Sequence, residues 1–232
     1  MTDIDLSQTK WVVFELSNTC PYASQHKECP LHLQVQNPVT LPSRIVLDVM
    51  SSLRDRDWGG TVEFHNYCEP TSDPRLFWLI GEAKQRGFGV RIWTNGWNMS
   101  QTLLDELVTC GVTEFRFSAY GDSEMTRLTA LRSSVPLDVQ QGFPLDGRLH
   151  LYEFPVNQLR VSCQAPLQEI VIRCTGRLGL CCLDWREDHD LGDLNVQSFD
   201  ELLSSDQVWS LHERLSRGDR YLNLCSRCLQ GR

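Results

Sequence analysis

Between residues 11 and 140 the chain switches repeatedly between short continuous apolar runs and apolar residues at helical spacing. That alternation is the pattern of strands covered by helices in a parallel sheet, because such strands are buried on both faces. Strands are predicted over 11–16, 61–64, 90–93, 112–117, 135–139 and 149–154. The first interval carries a helix with Ile45, Val49 and Leu53 on one face, and Gly59-Gly60 then breaks the chain. Asp73-Pro74 reads as the cap and first turn of a second helix bearing Leu76, Leu79, Ile80 and Ala83, which ends at Gly87. Ser100 reads as the cap of a third, with Leu103, Leu104 and Leu107, stopped by Gly111. A closed eightfold barrel takes about 250 residues. The expected fold class is therefore α/β, a partial parallel (β/α) barrel of five to six strands.

From about residue 161 the style changes. A hairpin is expected over 170–182, turning at Thr175-Gly176, followed by helices near 198–203 and 208–216. This reads as a small C-terminal α+β unit, and the expected division is 1–157 and 158–232. In parallel α/β folds the loops after the strands gather at the carboxyl end of the sheet, where chemistry sits. The informative loops are 17–32, 66–70, 95–98 and 118–121.

The formal net charge of −8 argues against a phosphate-binding surface, so nucleic acid is not an expected partner. No apolar run is long enough to span a bilayer and residues 1–10 are polar, so the expectation is a cytoplasmic protein with no membrane partner. In a reducing compartment the ten cysteines are ligands or core rather than disulfides. Cys110 closes an apolar helix and Cys174 follows Ile170-Val171-Ile172, so both read as core.

Four others fall in a metal-ligand pattern. Cys163, Cys181, Cys225 and Cys228 follow C-x12-G-x4-C, a gap of 43 residues, then C-x2-C, with Gly176 as the glycine. Either Cys181 or Cys182 fits the second place; the glycine spacing favours Cys181 and leaves Cys182 to packing. The segment is too small to owe its order to apolar burial alone, which implies a metal. Spacing alone leaves tetrahedral zinc and an iron–sulfur cluster both open.

The loops of the first unit add Asn18-Thr19-Cys20-Pro21-Tyr22, Cys29-Pro30-Leu31-His32, Asn66-Tyr67-Cys68-Glu69-Pro70, Thr94-Asn95-Gly96 and Ser118-Ala119-Tyr120-Gly121. In that order they resemble the radical S-adenosylmethionine (SAM) superfamily, and the C-terminal cysteines resemble its SPASM domain in the shortened twitch form. The resemblance covers nearly the whole chain. It implies two 4Fe–4S clusters, one binding SAM and one auxiliary, the auxiliary held by Cys163, Cys181, Cys225 and Cys228. Glu69, matching the family's Gly-Glu-Pro glutamate with Cys68 in place of the glycine, becomes a SAM contact, as do Thr94, Asn95 and Ser118.

The superfamily's usual C-x3-C-x2-C is here C-x8-C-x2-H, giving Cys20, Cys29 and His32 as the first cluster's ligands. Cys68 and His26 are alternatives for the third. Imidazole ligation raises a cluster's potential relative to thiolate. The activity implied is oxidoreductase: SAM cleavage to a deoxyadenosyl radical and dehydrogenation of a polar small molecule, similar to the twitch enzymes that oxidise an aminocyclitol alcohol in antibiotic biosynthesis. An external one-electron donor such as flavodoxin or ferredoxin is an implied partner. His65, Asn66, Arg116, Tyr120 and Arg173 are candidate substrate contacts, with no catalytic base assigned. Two other functions stay open: a peptide-modifying radical SAM maturase, and a non-catalytic iron–sulfur or zinc protein with a degenerate first motif.

Overall fold

The computed structural model describes residues 4–24, 26, 29–34, 37–142, 156 and 162–228, without the side chains of residues 32 and 34. Five strands of the N-terminal stretch are β1 (Trp11–Phe14), β2 (Thr61–Phe64), β3 (Gly89–Thr94), β4 (Glu114–Ala119) and β5 (Leu137–Gln141). Between them lie α1 (Leu31–Gln34), α2 (Ser43–Asp55), α3 (Leu76–Gln85), α4 (Gln101–Cys110) and α5 (Asp122–Thr129). The C-terminal stretch adds α6 (Ala165–Gln168), β6 (Glu169–Ile172), β7 (Leu178–Gly179), α7 (Phe199–Leu203), α8 (Asp206–Ser216) and α9 (Asn223–Arg227).

All seven strands belong to one open sheet of order β5-β4-β3-β2-β1-β6-β7. Every pairing is parallel except β6 with β7. The sheet exceeds the five or six strands expected because the hairpin assigned to a separate unit is paired onto β1, with Val13 opposite Val171 and Phe14 opposite Ile172. The strand expected over 149–154 lies outside the described residues.

Strand alternation gives the two faces opposite chemistry. Val12, Phe14, Val62, Phe64, Val90, Ile92, Phe115 and Phe117 are fully buried on one face. They form a single core with Ile45, Met50 and Leu53 of α2, Leu79 and Ile80 of α3, and Leu104 and Leu107 of α4. Each such side chain contributes about 1.5–3 kcal/mol. The other face aligns Glu63 with Arg91, Arg91 with Glu114, and Arg116 with Asp138.

Helix ends follow local chemistry. Ser100 caps α4 by accepting from the Leu103 amide at 3.1 Å, as expected. Asp73 does not cap α3; its carboxylate accepts from the Arg75 amide at 2.9 Å and pairs with that guanidinium at 2.7 Å, shaping a turn before the helix begins at Leu76. β4 starts two residues later than expected because the Val112 amide is still bonded to Leu107 at the end of α4.

Candidate functional site

The loops leaving β1 to β4 at their carboxyl ends enclose a cavity of about 380 Å³. Its lining brings together Cys20, Cys29, Cys68, Glu69, Thr94, Asn95 and Ser118, with His26, His65, Asn66, Arg116 and Tyr120. The remaining candidate ligand, His32, lies on α1 just after the buried Leu31, and its side chain is outside the described residues. Cys20 and Cys29 pack around Leu31, Tyr67 and Trp185.

Two backbone turns make this convergence possible. Asn66 holds φ at 95° just after β2, and its side-chain amide donates to Glu15 Oε2 at 2.6 Å, so a tertiary hydrogen bond to the end of β1 offsets a left-handed conformation unusual for a non-glycine residue. Gly96 has φ +69°, and a Cβ there would meet the Leu128 side chain at 2.7 Å.

Glu69 is the organising group. It is 2% exposed. Its Oε1 accepts from the Thr71 amide at 3.0 Å, Thr71 Oγ1 at 2.7 Å and Thr94 Oγ1 at 2.6 Å, and its Oε2 accepts from the Asn95 amide at 2.9 Å. The donors are unevenly shared, three on Oε1 against one on Oε2, so Oε2 is the oxygen with acceptor capacity left. Burial pushes the Glu69 pKa up, opposed by these hydrogen bonds. Asn95 in turn donates through Nδ2 to Cys20 Sγ at 3.4 Å, and the Glu69 amide donates to the Thr19 carbonyl at 3.0 Å. The three loops are thereby tied to one another around the cysteines. Ser118 Oγ accepts from Trp93 Nε1 at 2.9 Å.

The floor of the cavity is the charged face of the sheet. Arg91 is paired with Glu63 and, at 2.7 Å, with Glu114. Glu63 Oε2 also lies 2.8 Å from His65 Nε2. Despite its burial, Glu63 is held below the usual carboxylate range by His65 and Arg91. Arg116 stacks over Trp93 with its guanidinium 5.3 Å from the ring centroid. At the rim the His26 and Tyr120 rings lie 4.3 Å apart, and Tyr22 donates to Glu124. Sequence reasoning missed Glu63 and Arg91, although Glu63-x-His65 and Arg91-x-Trp93 carry a period-two signal on that face.

The second site is a cavity of about 220 Å³ lined by Cys163, Cys181, Cys225 and Cys228, with otherwise mostly apolar walls including Ala165, Leu180, Leu183 and Leu224. All four expected auxiliary ligands thus meet there. Burial pushes the Cys225 thiol up to about 12 and Cys181 well above its ordinary value, and burial likewise pushes Cys20 up to about 11. A metal must displace those protons to bind. Among the described residues, no three His, Cys, Asp or Glu side chains are gathered closely enough for a single ion.

Cys181 and Cys182, consecutive in the chain, open onto different cavities, Cys182 onto the first. The Cys182 carbonyl accepts from Tyr67 Oη at 2.6 Å. Arg173, 1% exposed and outside the lining of the first cavity, is held by two carboxylates: its Nε is 3.4 Å from Glu15 Oε2 and from Glu187 Oε1, and its guanidinium lies 5.1 Å from the Tyr67 centroid. It serves as a structural cation. Cys174 is buried, as expected, and Cys110 packs against the main core.

Residues 163–229 match the SPASM family, described as an iron–sulfur cluster-binding domain. The chain is 22% identical over 193 residues to an S-adenosyl-L-methionine-dependent 2-deoxy-scyllo-inosamine dehydrogenase of Niallia circulans, covering 78% of this chain and 77% of that protein. Its structure is similar to a crystal structure of BtrN in complex with AdoMet and 2-DOIA, with TM-score 0.79, 20% identity, and coverage of 96% of this chain and 93% of that one. It is also similar to native anSMEcpe with bound AdoMet, with TM-score 0.61, 10% identity, and coverage of 97% and 91%. The chain thus shares the fold of these AdoMet-bound proteins, and residues 163–229 match the SPASM family.

Proposed function

We propose that this chain is a radical SAM oxidoreductase that dehydrogenates a hydroxyl-bearing polar small molecule, an aminocyclitol being the class suggested by the dehydrogenase it resembles. One observation carries the reading. A single cavity joins sulfur donors to Glu69, Thr94, Asn95 and Ser118 at the carboxyl ends of successive parallel strands, while a separate cavity gathers four further thiols.

The donor sets fit the proposed groups. Four thiols in a mostly apolar pocket suit a fully ligated 4Fe–4S cluster. In the first cavity thiols stand beside a carboxylate with acceptor capacity left for an ammonium group. When bound, SAM with the cluster of the first cavity would supply hydrogen-atom abstraction, and a cluster held by Cys163, Cys181, Cys225 and Cys228 would supply a one-electron acceptor.

The chain's own residues do the rest. Glu69 offers Oε2 to the SAM amino group and holds Thr94 and Asn95 in place. Asn95 places an N–H against Cys20 Sγ, orienting that ligand. Arg116, Glu63 and His65 present donors and acceptors at the floor, matching a substrate dense in hydroxyl or amino groups. With Glu63 paired to Nε2 of His65, Nδ1 is the ring atom able to take the hydroxyl proton of the substrate.

The test is anaerobic incubation of reconstituted protein with SAM, dithionite and a panel of aminocyclitols, beside Glu69→Gln. The expected result is one ketone per deoxyadenosine, with SAM affinity lowered about tenfold in the variant, or about 1.4 kcal/mol. Deoxyadenosine formed without oxidised product across polyol and aminocyclitol panels would overturn the dehydrogenase reading.

A further inference from the structure

The usual spacing of the first motif is broken, and the position expected for its third cysteine holds His32. The structure supplies a thiol elsewhere. Cys68, on the loop after β2, lines the same cavity as Cys20 and Cys29 on the loop after β1. Its placement is fixed from both sides. On one side the Tyr67 ring packs with Leu31 in the cluster that Cys20 and Cys29 border. On the other, the Glu69 amide donates to the Thr19 carbonyl at 3.0 Å, binding the Cys68-Glu69 segment to the residue before Cys20. The left-handed turn at Asn66, φ 95°, brings the segment across.

We propose that Cys68 is the third thiolate of the SAM-binding cluster, completing a set with Cys20 and Cys29 drawn from two strand-end loops instead of one. The inference rests on the reading of the first cavity as a cluster site. Three thiolates leave one iron of a cubane for SAM, and they avoid the rise in potential that imidazole ligation brings. Cys68 also stands directly before Glu69, so one short segment fixes the cluster and the carboxylate that faces the SAM amino group.

The experiment uses the full chain, reconstituted anaerobically with iron and sulfide, and reads iron and sulfide content and the electron paramagnetic resonance (EPR) spectrum of the reduced state. Wild type is expected to hold about eight irons, from two four-iron clusters. Cys20→Ala/Cys29→Ala, Cys68→Ala and Cys68→Ser are each expected to fall to about four, with the C-terminal cluster's signal retained as proof of folding. His26→Ala, His32→Ala and Cys182→Ala are expected to stay at the wild-type count. If the double variant loses half its iron while both Cys68 variants keep full iron and an unchanged spectrum, Cys68 is not a ligand and the proposal is overturned, with the cluster reading intact. If the double variant loses no iron, the cluster reading itself fails.

Discussion

The two cysteine sites are built in opposite ways. In the C-terminal cavity four thiols come from one segment of chain, 163–228, and converge in a pocket with mostly apolar walls. In the first cavity the thiols stand among a buried carboxylate, amides, hydroxyls and a charged floor, and they reach it on loops that follow different strands. The first kind of site is a spacing along the chain, and a metal bound there would cross-link residues 163, 181, 225 and 228. The second is a product of sheet topology, which the apolar face of β1 to β4 holds in place whether or not a metal is bound.

Removing ligands should separate the two most sharply. Cys225→Ala/Cys228→Ala is expected to lose about half the bound iron and to lower the cooperativity of unfolding, with amides of α7, α8 and α9 exchanging freely. Cys20→Ala/Cys29→Ala is expected to lose as much iron while those amides and the sheet keep their protection. Hydrogen exchange on both variants checks this, and equal protection in the two would erase the distinction.

A smaller effect is expected at the join. Arg173 is buried between Glu15 and Glu187, and its pKa is raised by those carboxylates in spite of burial. Arg173→Met leaves Glu15 buried and without its cation, a loss of about 3–5 kcal/mol. Adding Glu15→Gln is expected to return part of that, measured by denaturant unfolding.

The smallest effect is acid sensitivity confined to the C-terminal side. His212 on α8 is half-buried, and this partial burial lowers its pKa from 6.5 to about 4. The unfolded chain therefore takes up a proton that the folded chain refuses. Stability from this group is present above about pH 6.5 and is lost as pH falls toward about 4. His212→Leu is expected to flatten that limb by no more than about 3 kcal/mol, followed by thermal melts across the window.

The same contrast explains what could be read from sequence. The four C-terminal cysteines were legible as a group because their spacing is a property of the chain, and one cavity contains all four. Glu69, Thr94, Asn95 and Ser118 were legible as strand-end residues and share a cavity, but their mutual hydrogen bonds depend on neighbouring strands and leave no linear trace. That Cys68 lines the same cavity as Cys20 is another such product of the fold. The charged floor was written in the alternation Glu114-x-Arg116-x-Ser118, yet runs read as buried on both faces concealed it. The pairing of β6 onto β1 joins residues more than 150 positions apart, which no local pattern encodes.

Both sites, read together, require two distinct clusters, one of which meets SAM. EPR spectra of the dithionite-reduced full chain, recorded with and without SAM, test it most directly. Two signals are expected, one shifted by SAM and absent from Cys20→Ala/Cys29→Ala, the other indifferent to SAM and retained there. A single signal that SAM leaves unchanged, with about four irons per chain, would contradict the account.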